Sequence, residues 1–267
     1  MSTKTIAEAN LYDDELFLFS CYGNTAMTEL ILGIILGQPV KARSFTPQKT
    51  LTNARLSGKS VRFDVEVELS DHTMCDIEVQ NTLDAGFRQR TRYNAASLDT
   101  HMLRKGQPYS ELRRSIVVVV TPSDPFRKGL PVYHVFRVVE ETGKEYGDGS
   151  GIVYLNGQWD GDDAVGDLAH DLRCTRPEEM RYDVLREAVK PYKDLGGGQM
   201  MKTAREIFTE QGIAQGRAAG IAEGRTEGKT EMLRKLGEAK RLLAGRMSVS
   251  EVMQKTGLSE NEVALLL

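Results

Sequence analysis

The sequence predicts a mixed α/β domain followed by a helical tail. Three observations carry that reading: a nearly all-apolar helical stretch near the N-terminus, two short segments with strict two-residue alternation, and a continuous Ile-Val run further along. With 267 residues, 40 % hydrophobic and 27 % charged, the chain has ordinary globular composition and is long enough for roughly one and a half to two domains.

Residues 13–38 begin with acids and reach Asn24, a good helix N-cap. Ala26, Met27, Leu30, Ile31, Leu32, Ile34, Ile35 and Leu36 follow before Gly37 and Pro39 end the pattern. A helix that is apolar almost all round is a buried one. Residues 60–69 read with period two, with Val61, Phe63, Val65, Val67 and Leu69 on one face and Arg62, Asp64, Glu66 and Glu68 on the other. A polar turn at 70–73 leads into 74–80, where Cys75, Ile77 and Val79 alternate with Asp76, Glu78 and Gln80, so the two segments predict a hairpin. Residues 84–105 have helical composition and stop at Gly106 before Pro108. Ser115–Thr121 reads as a strand buried on both faces, ended by Pro122, and further strands are expected at 131–140 and 151–155. These elements make a domain over residues 1–195.

After Pro191 the composition changes. Gly196, Gly197 and Gly198 suggest a hinge, and Gly212, Gly216, Gly220, Gly224 and Gly228 then recur at every fourth position, which makes 196–245 a Gly-rich hinge and helical arm. At 100° per residue such glycines spiral around a helix, and each costs about 1 kcal/mol against alanine. Two readings stay open: a marginal surface arm, or close helix–helix contact in a homo-oligomer. Residues 246–267 hold two capping boxes, Ser248 with Glu251 and Ser259 with Glu262, on either side of Gly257. That predicts a small helix pair. Its second helix has no Lys or Arg, which favours packing or self-association over reading a DNA groove.

Several classes are excluded or left without support. The net charge of −3 divides into 11 Lys and Arg against 9 Asp and Glu over residues 200–267, leaving 24 against 29 before them, so any nucleic-acid contact needs a local basic patch. The longest apolar runs fall far short of the ~20 residues that span a bilayer, and no export signal is apparent at the N-terminus, so a cytoplasmic protein without a membrane partner is expected. Three scattered cysteines and four histidines without ligand spacing give no disulfide or zinc framework. Phosphate-binding glycine loops, dinucleotide fingerprints and serine-nucleophile elbows do not occur.

What remains is carboxylates on adjacent strands. A turn at 70–73 brings Asp64 and Glu78 nearly level, and facing like charges destabilise a ladder unless a positive group such as a divalent cation sits between them. A solvated acidic hairpin face is the plainer alternative. Glu29 is the one acid in the apolar 26–36 helix, and a buried carboxylate must be paired, hydrogen-bonded or metal-bound, so it is a candidate third ligand.

The ordered series Arg62-Phe63-Asp64-Val65, Asp76-Ile77-Glu78-Val79-Gln80, Arg90-Thr91-Arg92-Tyr93, Gly106 to Leu112, the Val-rich strand, Asp124-Pro125-Phe126 and Tyr154-Leu155-Asn156 resembles the PD-(D/E)XK nuclease family transposases, the Rpn-like recombination-promoting nucleases of bacteria and phages. The resemblance spans about residues 10–195. It implies a restriction-endonuclease-like core, a mixed central sheet flanked by helices, and metal-dependent hydrolysis of DNA phosphodiesters linked to transposition, recombination or defence against mobile elements. Carried over, Asp64 and Glu78 become ligands of magnesium, with manganese as a substitute, and the Val79 carbonyl a further ligand. Gln80 stands where the motif has lysine, and a glutamine orients water without bringing charge. Arg88, Arg90 and Arg92 on the following helix are candidates to neutralise DNA phosphates; Arg88 and Arg92 share a face that Arg90 leaves, and Arg88, Arg92 and Tyr93 are the expected DNA contacts. The competing expectation is a DNA-binding or self-associating protein whose catalytic site has decayed.

Overall fold

Six strands of mixed direction form the sheet around which the first part of the chain is built. The computed structural model describes residues 6–22, 24–47, 50–51, 61–62, 64–194, 232–245 and 247–266. The chain divides into two units, residues 1–201 and 202–267.

In the first unit, α1 (Asp14–Cys21) and α2 (Thr25–Leu36) lead into β1 (Ala42–Pro47), the short β2 (Thr50–Leu51) and β3 (Val61–Arg62), and the hairpin of β4 (Val65–Leu69) and β5 (Met74–Val79). Helix α3 (Phe87–Met102) crosses to β6 (Ser115–Thr121). Next come β7 (Val132–Val135), a small ribbon of β8 (Val138–Val139) and β9 (Lys144–Glu145), then β10 (Ser150–Asn156), α4 (Ala164–Arg173) and α5 (Asp183–Asp194). The sheet order is β1-β4-β5-β6-β10-β7. Strands β5, β6 and β10 run parallel, while β1, β4 and β7 join antiparallel.

The two sheet faces differ in chemistry. One carries Val65, Val67, Cys75, Ile77, Val118, Val120, Val153 and Leu155, all buried. Helix α2 packs on β1 and β10, with α1, α4 and α5 in contact with it. Fully burying a Val or Ile contributes about 1.5–3 kcal/mol, so this apolar layer supplies the main driving force. The apolar helix is placed as expected: Asn24 accepts from the Met27 N–H at 3.1 Å, and Gly37 closes α2 in the left-handed conformation at φ 68°. The other face is covered by α3, whose buried residues Thr91, Asn94, Ala95 and Leu98 form one stripe. Leu98 packs on Met74, and Ala95 on Val117, Val119 and Tyr154.

Three expectations need correction. The single strand over 60–69 is broken: β3 pairs with β2 in a separate ribbon, and β4 starts only at Val65. The 131–140 strand splits, because β7 pairs with β10 whereas β8 turns away to pair with β9. The helix over 84–105 is shorter, running Phe87–Met102, and Pro191 lies inside α5. The glycine hinge and the periodic glycines fall outside the described residues, and the reading of the arm as an oligomer contact falls there with them.

The second unit contains α6 (residues 232–244), α7 (Val249–Thr256) and α8 (Glu260–Ala264). Both capping boxes form, and Gly257 ends α7 at φ 67°. Ala239, Val252, Leu258 and Val263 make its core, which fits packing rather than groove reading for the last helices. Among the described residues no single helix is long and apolar enough to cross a membrane, and α1 with α2 pass that test only as a pair bent by 113°.

Candidate active site

The hairpin turn fixes the site. The His72 N–H donates to the Leu69 carbonyl and the Leu69 N–H to the Thr73 carbonyl, both at 2.9 Å, while the Asp71 carboxylate takes the Thr73 N–H. His72 itself sits at φ 69°, a left-handed position that favours glycine or asparagine. This turn sets Val65 opposite Ile77 and Glu66 opposite Asp76. One step beyond the ladder, Asp64 stands level with Glu78.

Asp64 is also where β4 stops. The Gln80 N–H points to β6 and donates to the Val120 carbonyl at 2.8 Å, so by alternation the Val79 N–H points towards β4. There it donates to Asp64 Oδ2 at 3.0 Å. In return, the Asp64 backbone N–H donates to the Glu78 carboxylate. The two acids are thus fixed to each other's strands through main-chain groups.

The face expected to be solvated is buried. Asp76 has no exposed surface, and Glu66, Glu78 and Gln80 retain 7 %, 7 % and 5 %. Among the described residues no N–H donor reaches either oxygen of Asp76, Glu78 Oε1 or Gln80 Oε1, and the Asp76 and Glu78 carboxyls share a hydrogen bond when one of them is protonated. Burial first, and the Asp64 charge second, push the Glu78 carboxyl from 4.5 to about 8. Burial and then the adjacent Glu78 charge hold Asp76 well above its ordinary value. Two neighbouring carboxyls here carry fewer than two negative charges at neutral pH. At the other end of the same face, Glu68 meets His72 at 3.1 Å, Arg113 at 3.0 Å and Arg43 at 3.5 Å, and its carboxyl lies below the usual range. Cations are recruited there, whereas oxygens without N–H donors gather around Asp76 and Glu78. An all-oxygen set of this kind suits a hard divalent cation.

The other expected residues separate into groups. Asp64, Glu78, Val79 and Gln80 come together. Glu29 does not join them: its carboxylate takes Lys41 Nζ at 2.7 Å and the Ala42 N–H at 2.9 Å. Ala42 pairs with Leu69, at the far end of β4, roughly 17 Å along the strand from Asp64 at ~3.4 Å per residue. The partly exposed acid of α2 is satisfied by an ion pair and an amide, so its role as a ligand is withdrawn. On α3, Arg88 stacks 5.3 Å from the centroids of both Phe87 and Phe126, on a flank it shares with the exposed Arg92, and Tyr93 is 40 % exposed.

Sequence reasoning missed the setting of two residues. Asp76 shares the face of Glu78, but its complete burial belongs to the tertiary fold, which periodicity does not reveal. Arg90 enters the sequence reading only as a phosphate contact off the Arg88–Arg92 face, yet its charge lowers the Glu78 value.

A second group of ligand-type atoms, His170, Asp171 and Cys174, lies together at the end of α4. Asp171 there accepts the Arg181 and Tyr182 N–H groups, each at 2.8 Å, and tethers the chain entering α5. Its carboxylate is committed to the backbone, and burial raises the Cys174 thiol, so this group reads as structural.

No curated protein and no solved structure matches the chain significantly. A family model described as PD-(D/E)XK nuclease family transposase matches residues 18–158, more than half of the chain and the whole stretch from α2 through β10 that builds the acidic site. With that match and the mixed sheet carrying Asp64 and Glu78 at its edge of pairing, the chain belongs to the PD-(D/E)XK nuclease family transposases.

Proposed function

We propose that this protein is a metal-dependent endonuclease that hydrolyses DNA phosphodiester bonds, linked to transposition, recombination or defence against mobile elements. The observation that carries the reading is the buried, donor-poor oxygen cluster around Glu78, level with Asp64 in a nuclease-family domain. A folded protein keeps such a cluster at a cost in stability, and a cation would offset that cost.

In this proposal the Asp64 and Glu78 carboxylates and the Val79 carbonyl hold magnesium, with manganese able to replace it. The bound ion supplies an acidified water and charge stabilisation for the pentacovalent phosphate. Gln80, with an acceptor oxygen free, orients the attacking water by hydrogen bonds. Arg88 and Arg92 hold DNA phosphates, and Tyr93 lies beside them on α3. The presence of Gln80 at the position of the motif lysine favours one alternative, a DNA-binding or self-associating protein with a decayed site.

Nicking of supercoiled plasmid decides between them. Wild type, Asp64→Asn and Glu78→Gln are compared with magnesium, manganese and chelator. The expected result is metal-dependent nicking that falls by at least ~100-fold in both variants. Nicking that persists in both refutes the site, and DNA binding without cutting in any metal supports the decayed protein.

A further inference from the structure

Gln80 leaves the site short of a cation, and α3 carries one that no ion pair among the described residues engages. The orientation of α3 follows from its contacts at both ends. Phe87, at its start, packs edge-on against Tyr154, near the C-terminal end of β10, and Phe126, in the loop after β6. Near its end Leu98 rests on Met74, the first residue of β5, and Asp99 accepts the Ser115 hydroxyl at 2.7 Å at the start of β6. The helix therefore runs antiparallel to β5.

From the Leu98–Met74 contact, four residues back along a helix rise ~6 Å and two residues along a strand advance ~6.7 Å. Asn94 is consequently level with Asp76, and Arg90 with Glu78. At 100° per residue, Arg90 and Asn94 lie on the flank of the buried stripe opposite Arg88 and Ala95. Arg88 stacks on Phe126 and Ala95 packs on β6 and β10, so the flank of Arg90 is the one facing β5. Arg90 is exposed to solvent.

We propose that Arg90, on α3, supplies at the Asp64–Glu78 site the positive charge that Gln80 does not bring from β5. This rests on the nuclease reading above. A guanidinium keeps its charge at every working pH and offers paired donors to phosphate oxygens, and its position on a helix leaves the buried Gln80 side chain to the water.

The test moves the charge from one element to the other. Nicking rates at saturating DNA and magnesium are measured for wild type, Arg90→Gln, Gln80→Lys and the double variant. Arg90→Gln is expected to slow nicking about 100-fold, and adding Gln80→Lys to it to recover at least 10-fold. A residue that merely shaped the helix would not be rescued by a lysine on β5. A second readout needs no cleavage: Mn2+ titration of the DNA-free protein, where loss of a cation beside the carboxylates should tighten binding about fivefold. Unchanged nicking in Arg90→Gln, a loss that Gln80→Lys does not recover, or unchanged Mn2+ affinity each overturns the proposal. If wild type fails to nick in every metal, the nuclease reading fails and this inference with it, an outcome distinct from active wild type with an equally active Arg90→Gln.

Discussion

Removing the Glu78 charge should change how stability depends on pH. In the folded protein its carboxyl titrates at about 8, against 4.5 in an open chain. The folded state therefore keeps a proton that the unfolded state releases. The resulting contribution is favourable below pH 4.5, declines as pH rises through the window to about 8, and is constant above it. At 1.36 kcal/mol per pH unit, the interval from pH 5 to pH 7 removes about 3 kcal/mol. Glu78→Gln replaces the carboxyl with an amide of the same shape and abolishes that slope. Urea denaturation in chelator at pH 5, 6, 7 and 8 measures it. Trp159, the one tryptophan, reports on the nuclease-like unit alone. The variant is expected to gain about 3 kcal/mol relative to wild type between pH 5 and 7. A wild-type-to-variant difference that stays constant across this range would refute the buried, charge-crowded environment assigned to Glu78.

Two further predictions concern the framework. The Tyr133 hydroxyl donates to Asp124 at 2.7 Å and accepts from the Lys128 and Leu130 N–H groups at 3.2 and 3.1 Å, so Tyr133→Phe leaves three polar groups without that partner. A loss of about 1–3 kcal/mol in thermal or urea unfolding is expected, and a change under 0.5 kcal/mol would show that the loop does not depend on this hub. In the C-terminal unit, Ser248→Ala and Ser259→Ala each remove one side of a capping box. Each should cost about 1 kcal/mol, read as lost helicity by circular dichroism on heating, and unchanged melting would contradict the caps.

Much of the fold was legible where chemistry is local. The apolar run of α2, the alternation of β5, the Ile-Val run of β6 and both capping boxes appear where their residue patterns put them, because each depends on neighbours a few positions away. The hairpin register, and with it the levelling of Asp64 and Glu78, followed from a four-residue polar turn. What escaped depends on distant contacts. The break before Val65 arises because the Asp64 side chain captures an amide from the next strand, and the complete burial of Asp76 depends on packing remote from it in sequence. Glu29 was rightly marked as an acid in need of a partner, but Lys41 and the Ala42 amide, beyond the helix end, supply it. Arg90 is legible as a phosphate contact but not as a neighbour of Glu78, because helical spacing groups residues by shared face whereas the facing strand decides which flank matters.

The bond from the Val79 amide to Asp64 gives the two acids opposite fates under mutation. Asp64 serves as the last rung between β4 and β5, so the architecture itself favours its retention whether or not the protein ever cuts a strand. Glu78 returns one such bond, from the Asp64 amide, but its buried carboxyl is pushed up to about 8, so without a bound cation its retention is a net burden on the fold. Among descendants of this chain that lose activity, drift should erase Glu78 and Asp76 early and leave Asp64 standing. An intact aspartate at this position is therefore a poor emblem of a working enzyme, and an intact glutamate beside it is a good one.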